Sequence, residues 1–133
     1  MGERQRILVV DDDRDACELI AMVLGQAGYV VEMAASGSEA LAIVAARRPD
    51  LLLTDLQMPG MDGLELIRRV HAADRSSPGA RELPAVLTTG VETGNLCTTA
   101  SAHGAVACLT KPIEVDDLLW TIDCALALAC EAA

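Results

Sequence analysis

A chain of 133 residues, 52% of them hydrophobic, is long enough for one compact domain with a core and too short for two. It has no Phe, one Trp and one Tyr, so this core must be built from aliphatic side chains. The formal net charge of −10 argues against a nucleic-acid partner, because the ten basic residues form no positive stripe.

Membrane, secreted and zinc-binding classes are also disfavoured. No apolar run approaches the ~18–20 residues that cross a bilayer, and residues 1–6 do not resemble a signal peptide. The five cysteines are odd in number and include no CxxC pair. We therefore expect reduced thiols and a cytoplasmic location.

Strand and helix patterns alternate along the chain. The predicted strands are short and mostly apolar, and they cover residues 6–11, 29–34, 51–54, 84–89 and 105–109. The predicted helices cover residues 13–27, 38–47, 63–73, 93–103 and 114–131. Asp13 is a candidate N-cap for the first helix, and Ser36 or Ser38 for the second. Five βα units predict an α/β fold, a parallel sheet with helices on both faces.

Reactive side chains follow several of these strands. Asp11 and Asp12 end the first strand, Asp55 ends the third, Thr88 and Thr89 end the fourth, and Lys111 follows the fifth. The carboxyl ends of parallel strands meet at one edge, where ligands of such sheets bind. We therefore expect three carboxylates, a hydroxyl and an ammonium to converge there.

The chemistry of this set points to phosphoryl transfer. Three crowded carboxylates repel one another unless a cation lies between them, and hard oxygen ligands suit Mg²⁺. A carboxylate such as Asp55 can act as a nucleophile towards phosphorus. Lys111 and the Thr89 hydroxyl are suited to stabilise charge on the transferring phosphoryl group.

Four motifs resemble the receiver domains of two-component signalling. They are the runs VVDD at 9–12, DLQMPGMDG at 55–63, LTTG at 87–90 and LTKP at 109–112. The resemblance covers about residues 6–130 of a single domain spanning residues 1–133. It implies a flavodoxin-like (βα)5 fold, a doubly wound sheet with strand order 2-1-3-4-5, in agreement with the independent reading of the elements.

The resemblance also implies a metal site. Asp12 would be a direct ligand of Mg²⁺, Asp11 would hold metal-bound water, and the Gln57 backbone carbonyl would complete the coordination together with Asp55.

The resemblance assigns the phosphoryl chemistry as well. Asp55 would be the phosphoacceptor, Thr89 would hydrogen-bond the phosphoryl group, and Lys111 would pair with it. Spacing from Pro84 and the small Gly90 that follows favour Thr89 over Thr88. The bond between Lys111 and Pro112 is expected to be cis.

Two positions depart from the family pattern. Receivers commonly carry Tyr or Phe three residues before the lysine, where Cys108 stands here, and often Phe where Ile113 stands. The phosphorylation chemistry is untouched, but the aromatic relay to partners lacks its usual side chains. His71 and His103 are expected near helix ends, in contact with solvent or the helix dipole.

The last helix is apolar on more than one face. Its predicted inward stripe consists of Leu118, Ile122, Ala125 and Ala129. A second set, Trp120, Cys124, Ala127 and Leu128, falls largely on other faces. Such an apolar face predicts a contact with a partner or with a second copy, as in a homodimer, unless Trp120 packs on a neighbouring helix.

The leading interpretation is a signalling switch and not a metabolic enzyme. A sensor histidine kinase or a histidine phosphotransfer protein would phosphorylate Asp55, and the switched domain would control an unidentified downstream protein or output domain. The alternatives are a phosphorylation-independent interaction module and a phosphatase of the aspartyl-phosphate type, although Gln57 breaks the DxD signature of that class. Since no output segment is recognisable, we expect a single-domain regulator or an excised receiver.

Overall fold

The computed structural model describes residues 5–76, 82–90 and 104–131. Five strands are present, β1 (Arg6–Val10), β2 (Val30–Ala34), β3 (Leu51–Asp55), β4 (Ala85–Thr89) and β5 (Ala105–Thr110). Four helices are described, α1 (Arg14–Gln26), α2 (Gly37–Ala46), α3 (Gly63–Arg75) and α4 (Val115–Glu131). The predicted helix over 93–103 lies outside the described residues. No helix in the described ranges has the length and apolar character of a membrane span.

The sheet has the predicted doubly wound topology. Its strand order is β2-β1-β3-β4-β5, and every neighbouring pair is parallel. β3 and β4 are buried at every position, whereas the edge strands β2 and β5 are partly exposed. The structure therefore confirms the flavodoxin-like α/β fold.

Alternate residues of the strands supply two aliphatic cores, one on each face of the sheet. Leu8 and Leu52 point to the core that α2 and α3 cover. Their neighbours Ile7, Leu51 and Leu53 point to the core that α1 and α4 cover. The near-continuous apolar character of the central strands follows from this burial on both faces.

Short polar side chains begin the helices. The Asp13 carboxylate accepts hydrogen bonds from the backbone N–H groups of Asp15 and Ala16, at 3.1 and 3.3 Å, and so caps α1. Ser36, and not Ser38, caps α2, because its hydroxyl accepts from the N–H of Glu39 at 3.1 Å. Because Asp13 is the cap of α1, this helix begins directly after Asp11 and Asp12.

The last helix, α4, divides into faces as predicted. Leu118, Ile122 and Ala125 are buried against the sheet, and Leu126, which the predicted stripe omitted, is buried with them. Trp120 is exposed and does not pack into the core. Nothing is described for the side chain of the fourth predicted position, Ala129.

The expectation for His71 is wrong. Its side chain is buried, with Nε2 2.8 Å from the Leu83 carbonyl oxygen and Nδ1 3.1 Å from a Glu82 carboxylate oxygen. The ring fits because Gly104 has no side chain, since a Cβ there would lie 2.4 Å from His71 Nδ1. His103 lies outside the described residues.

The two-sided core predicts unequal costs for two leucine truncations. Leu52→Ala should lower the free energy of unfolding by about 2–5 kcal/mol, because Leu52 is fully buried in the central strand. Leu19→Ala is the matched control, since Leu19 is 60% exposed on α1, and it should change that free energy by no more than about 0.5 kcal/mol. Urea denaturation followed by circular dichroism measures both, and equal midpoints would contradict the assignment of the core.

Candidate functional site

The sheet brings the three predicted carboxylates together. β1 and β3 are neighbours, so the residues that follow or end them, Asp11, Asp12 and Asp55, meet at the carboxyl edge. One carboxylate oxygen from each lies within 4.8 Å of the others. Asp11 and Asp55 are buried and Asp12 is exposed, so the cluster opens to solvent on one side.

Hydrogen bonds hold the Asp11 carboxylate in place. Its Oδ1 accepts from the backbone N–H of Asp13 at 2.9 Å, and its Oδ2 accepts from the Lys111 ammonium at 3.2 Å. Asp13 in turn caps α1. The start of this helix therefore orients a carboxylate of the site.

Lys111 reaches the cluster from the end of β5. Its Nζ lies 3.2 Å from Asp11 Oδ2 and 3.2 Å from Asp55 Oδ1. The Lys111 backbone N–H donates to the Thr89 carbonyl oxygen at 2.7 Å, and the bond between Lys111 and Pro112 is cis, as expected. One ammonium thus contacts two of the three carboxylates.

Burial and charge shift the titration of both partners. Burial raises the pKa of Asp55 above its ordinary value; the Lys111 ammonium opposes this shift, and the Asp11 carboxylate adds to it. Burial alone would lower the pKa of Lys111, but the Asp11 and Asp55 carboxylates more than offset it, so this pKa is raised. The contacts of Lys111 therefore favour its charged form, whereas burial disfavours the ionised form of Asp55.

Both threonines of β4 are buried beside the cluster. Thr88 is the register partner of Asp55, and Thr89 stands one residue nearer the edge, opposite Thr110 of β5. Thr89 therefore lies at the carboxyl edge of the strand next to β3, which carries Asp55. Its contact with a phosphoryl group remains a prediction.

The segment after β3 is held close to Asp55. The N–H of Gly63 donates to the Leu56 carbonyl oxygen at 2.9 Å, and a Cβ at Gly63 would lie 2.4 Å from the Asp55 carbonyl oxygen. Only glycine fits this approach, a role that the sequence analysis missed although Gly63 ends the quoted motif. Gln57 lies in the same segment and is exposed, and its carbonyl as a metal ligand remains a prediction.

The two departures from the family pattern pack on the two cores of the domain. Cys108 is partly buried and packs on the core under α2 and α3. Ile113 packs on the opposite core, under α1 and α4. A thiol and an aliphatic side chain thus stand at the two positions where the family commonly has an aromatic ring.

The charge balance of the cluster suits a divalent cation. Three carboxylates face a single ammonium, which leaves an excess of negative charge at a partly buried site. Carboxylate oxygens with an open side match the oxygen ligands and retained waters that Mg²⁺ prefers. Asp11, Asp12 and Asp55 are therefore the residues that fit a metal.

The family model for the response regulator receiver domain matches residues 7–123. The chain therefore belongs to the response-regulator receiver domain family, whose members act in two-component signalling.

Individual relatives agree with this assignment. The chain is 38% identical to the response regulator MprA of Mycobacterium ulcerans over 114 residues, 86% of this chain and 47% of that protein. It is 32% identical to sporulation initiation phosphotransferase F of Bacillus subtilis, over 86% of this chain and 87% of that protein. The chain spans about half the length of several response regulators that it matches.

Solved structures give the same fold. The receiver domain protein of Methanospirillum hungatei, described as CheY-like, superposes with a TM-score of 0.87 at 29% identity, covering 98% of this chain and 100% of that one. The response regulator CheY4 of Vibrio cholerae, a chemotaxis protein, superposes with a TM-score of 0.83 at 30% identity, over 92% and 99% of the two chains.

The raised pKa of Asp55 predicts a pH-dependent effect of Asp55→Asn. The folded state disfavours the ionised carboxylate, so the wild type loses stability as pH rises from the ordinary aspartate range through the raised pKa. Without divalent cations, Asp55→Asn should be the more stable protein at neutral pH, and the difference should vanish in acid, where Asp55 is protonated.

Thermal denaturation of both proteins between about pH 3 and pH 8 measures this difference. Magnesium should reverse the order at neutral pH, because a ligand that binds only the folded wild type stabilises it. A variant that is less stable than the wild type at every pH without metal would contradict the electrostatic argument.

Gly63→Ala should disturb the site, whereas Gly25→Ala should not. A Cβ at Gly63 would meet backbone, so we expect a loss of about 1–3 kcal/mol in the free energy of unfolding. Gly25 lies in α1 with open space around its Cα, and alanine there should add about 0.5–1 kcal/mol. Urea denaturation compares the two, and a neutral Gly63→Ala would contradict the close approach.

Proposed function

We propose that this receiver domain accepts a phosphoryl group on Asp55 in a magnesium-dependent reaction and changes conformation to control a partner or an output domain. The observation that carries the proposal is the Lys111 ammonium, which lies 3.2 Å from both Asp11 and Asp55 within the carboxylate cluster. The donor is a phosphohistidine of a sensor histidine kinase or of a histidine phosphotransfer protein.

The chain supplies the nucleophile and stabilises its product. An Asp55 carboxylate oxygen attacks the phosphorus of the donor, so that a P–O bond forms while the P–N bond breaks, and the electron pair leaves with the donor imidazole. Lys111 stabilises negative charge on the phosphoryl oxygens, and Thr89 donates its hydroxyl to one of them. Thr89 ends β4 and Lys111 directly follows β5, so the sheet positions both groups before the donor binds.

The carboxylates would hold the metal. Asp12, the exposed member, would be a direct ligand, Asp11 would act through water, and the Gln57 carbonyl and Asp55 itself would complete the protein's share of the coordination. Bound Mg²⁺ supplies positive charge that offsets the carboxylates and the transferring phosphoryl group. The excess negative charge of the cluster supports this assignment.

The switch follows from the added charge. A phosphoryl group on Asp55 brings a dianion beside Lys111 and towards Thr89, which draws both groups inwards and alters the surfaces around β4 and β5. Cys108 stands where an aromatic side chain would otherwise report that change, so we propose that packing around β5 carries it here. The domain catalyses only its own phosphorylation and dephosphorylation.

We further propose that residues 1–133 form a single receiver domain, in line with the two aliphatic cores that share one sheet. The cytoplasmic location expected from the cysteines remains a prediction.

Incubation with acetyl phosphate and Mg²⁺ tests the proposal. The wild type should gain the mass of one phosphoryl group, and chelation of Mg²⁺ should abolish the gain, as should Asp55→Asn. Asp62→Asn is the matched control, because Asp62 is an exposed aspartate that caps α3 and asparagine caps equally well. Intact-mass spectrometry separates these outcomes.

Three results would overturn the proposal. Equal labelling of Asp55→Asn would place the acceptor elsewhere. Sustained hydrolysis of varied phosphomonoesters would indicate a phosphatase. No uptake by a folded wild type would indicate an interaction module that does not use phosphorylation.

A further inference from the structure

The outward face of α4 carries an apolar strip. Trp120 is 70% exposed and Leu128 is 57% exposed, with Cys124 half-buried and Ala127 exposed between them. The spacings of three and four residues place these four side chains on one side of the helix. We call this strip, residues 120, 124, 127 and 128, the Trp120 ridge.

Carboxylates surround the Trp120 ridge. Asp116 and Asp117 are exposed and stand four and three residues before Trp120, so they flank it one turn earlier. Asp123 is exposed three residues after Trp120 and accepts a hydrogen bond from the Tyr29 hydroxyl. The sequence from 112 to 133 has five acidic residues and no Lys, Arg or His.

This charge distribution indicates which kind of partner could bind the Trp120 ridge. If two copies of α4 paired through their ridges, carboxylates would face carboxylates or apolar surface in either orientation, and no positive charge of that segment would be available. Anionic lipid headgroups would be repelled in the same way, since the whole chain carries a net charge of −10. A partner surface with basic groups around an apolar strip would match both the apolar side chains of the ridge and the carboxylates beside it.

We propose that the Trp120 ridge binds an amphipathic helix of a partner protein whose apolar stripe is flanked by Lys or Arg. Leucine-type side chains of such a helix would pack against Trp120 and Leu128, and its basic side chains would pair with Asp116 and Asp117. An exposed tryptophan beside small residues is a suitable anchor, because aromatic side chains often dominate the energy of such contacts. The ridge is separate from the carboxylate cluster, so this proposal goes beyond phosphoryl acceptance and does not depend on it.

Trp120 is also the probe for the test, since it is the only tryptophan in the chain. Two synthetic helical peptides would be titrated into the full chain, with leucines at matched i, i+3, i+4 and i+7 positions. One has Lys and Arg beside the leucines, and the other has Glu in their place. The basic peptide should shift Trp120 emission to shorter wavelength, and it should bind about fourfold more tightly, since each of the two exposed ion pairs contributes a factor of about two.

Variants locate the contact. Measured by anisotropy of a labelled basic peptide, Trp120→Ala should lower the affinity at least about tenfold, and the double change Asp116→Asn, Asp117→Asn about fourfold. Leu19→Ala and the double change Asp15→Asn, Glu18→Gln are matched controls, because these apolar and acidic side chains are also exposed, but on α1. Both controls should bind as the wild type does.

The proposal fails on any of four outcomes. Equal affinity for the two peptides would remove the charge argument, and an equal loss of affinity in the α1 controls would show non-specific attraction to an acidic protein. No shift of Trp120 emission at saturating basic peptide would place the contact elsewhere. Self-association in sedimentation that Trp120→Ala abolishes would make a second copy the occupant.

Discussion

A single ammonium facing two buried carboxylates governs the carboxyl edge of this protein. The Lys111 Nζ contacts Asp11 and Asp55 at equal distance, while Asp12 stands exposed beside them. The edge therefore carries an excess of negative charge, and this charge would favour the binding of a cation. The fold serves chiefly to hold these charges at fixed positions.

The central strands supply the rigidity that this requires. β3 and β4 are covered on both faces, so Asp55 and Thr89 end segments that have no freedom to move into solvent. In the absence of Phe, aliphatic side chains such as Leu, Ile and Val form the buried cores on both faces of the sheet. Gly63 then lets α3 begin directly against the Asp55 carbonyl oxygen.

The topology and the carboxylate cluster were predictable because both follow from short-range patterns. Apolar runs of five or six residues between helical stripes define buried parallel strands, and parallel strands bring Asp11 and Asp55 to one edge without further information. The roles of Thr89 and the Gln57 carbonyl rest on family resemblance, and the geometry alone does not assign them.

Features that depend on distant neighbours were not predictable. Helical periodicity places His71 on the inward side, four residues after Ile67. That a ring fits there depends on the missing side chain of Gly104, which is remote in sequence. The choice of Ser36 over Ser38 as the α2 cap depends on where the chain leaves β2. The close approach of Gly63 to Asp55 depends on the path of a loop and not on residue type alone.

The contact between Lys111 and Asp11 joins residues one hundred positions apart. No fragment that ends before β5 contains both partners, so a chain still emerging from the ribosome has the three carboxylates but not the ammonium that contacts two of them. The ion-pair cluster is thus complete only when the last strand takes its place at the edge of the sheet, late in the folding of the domain.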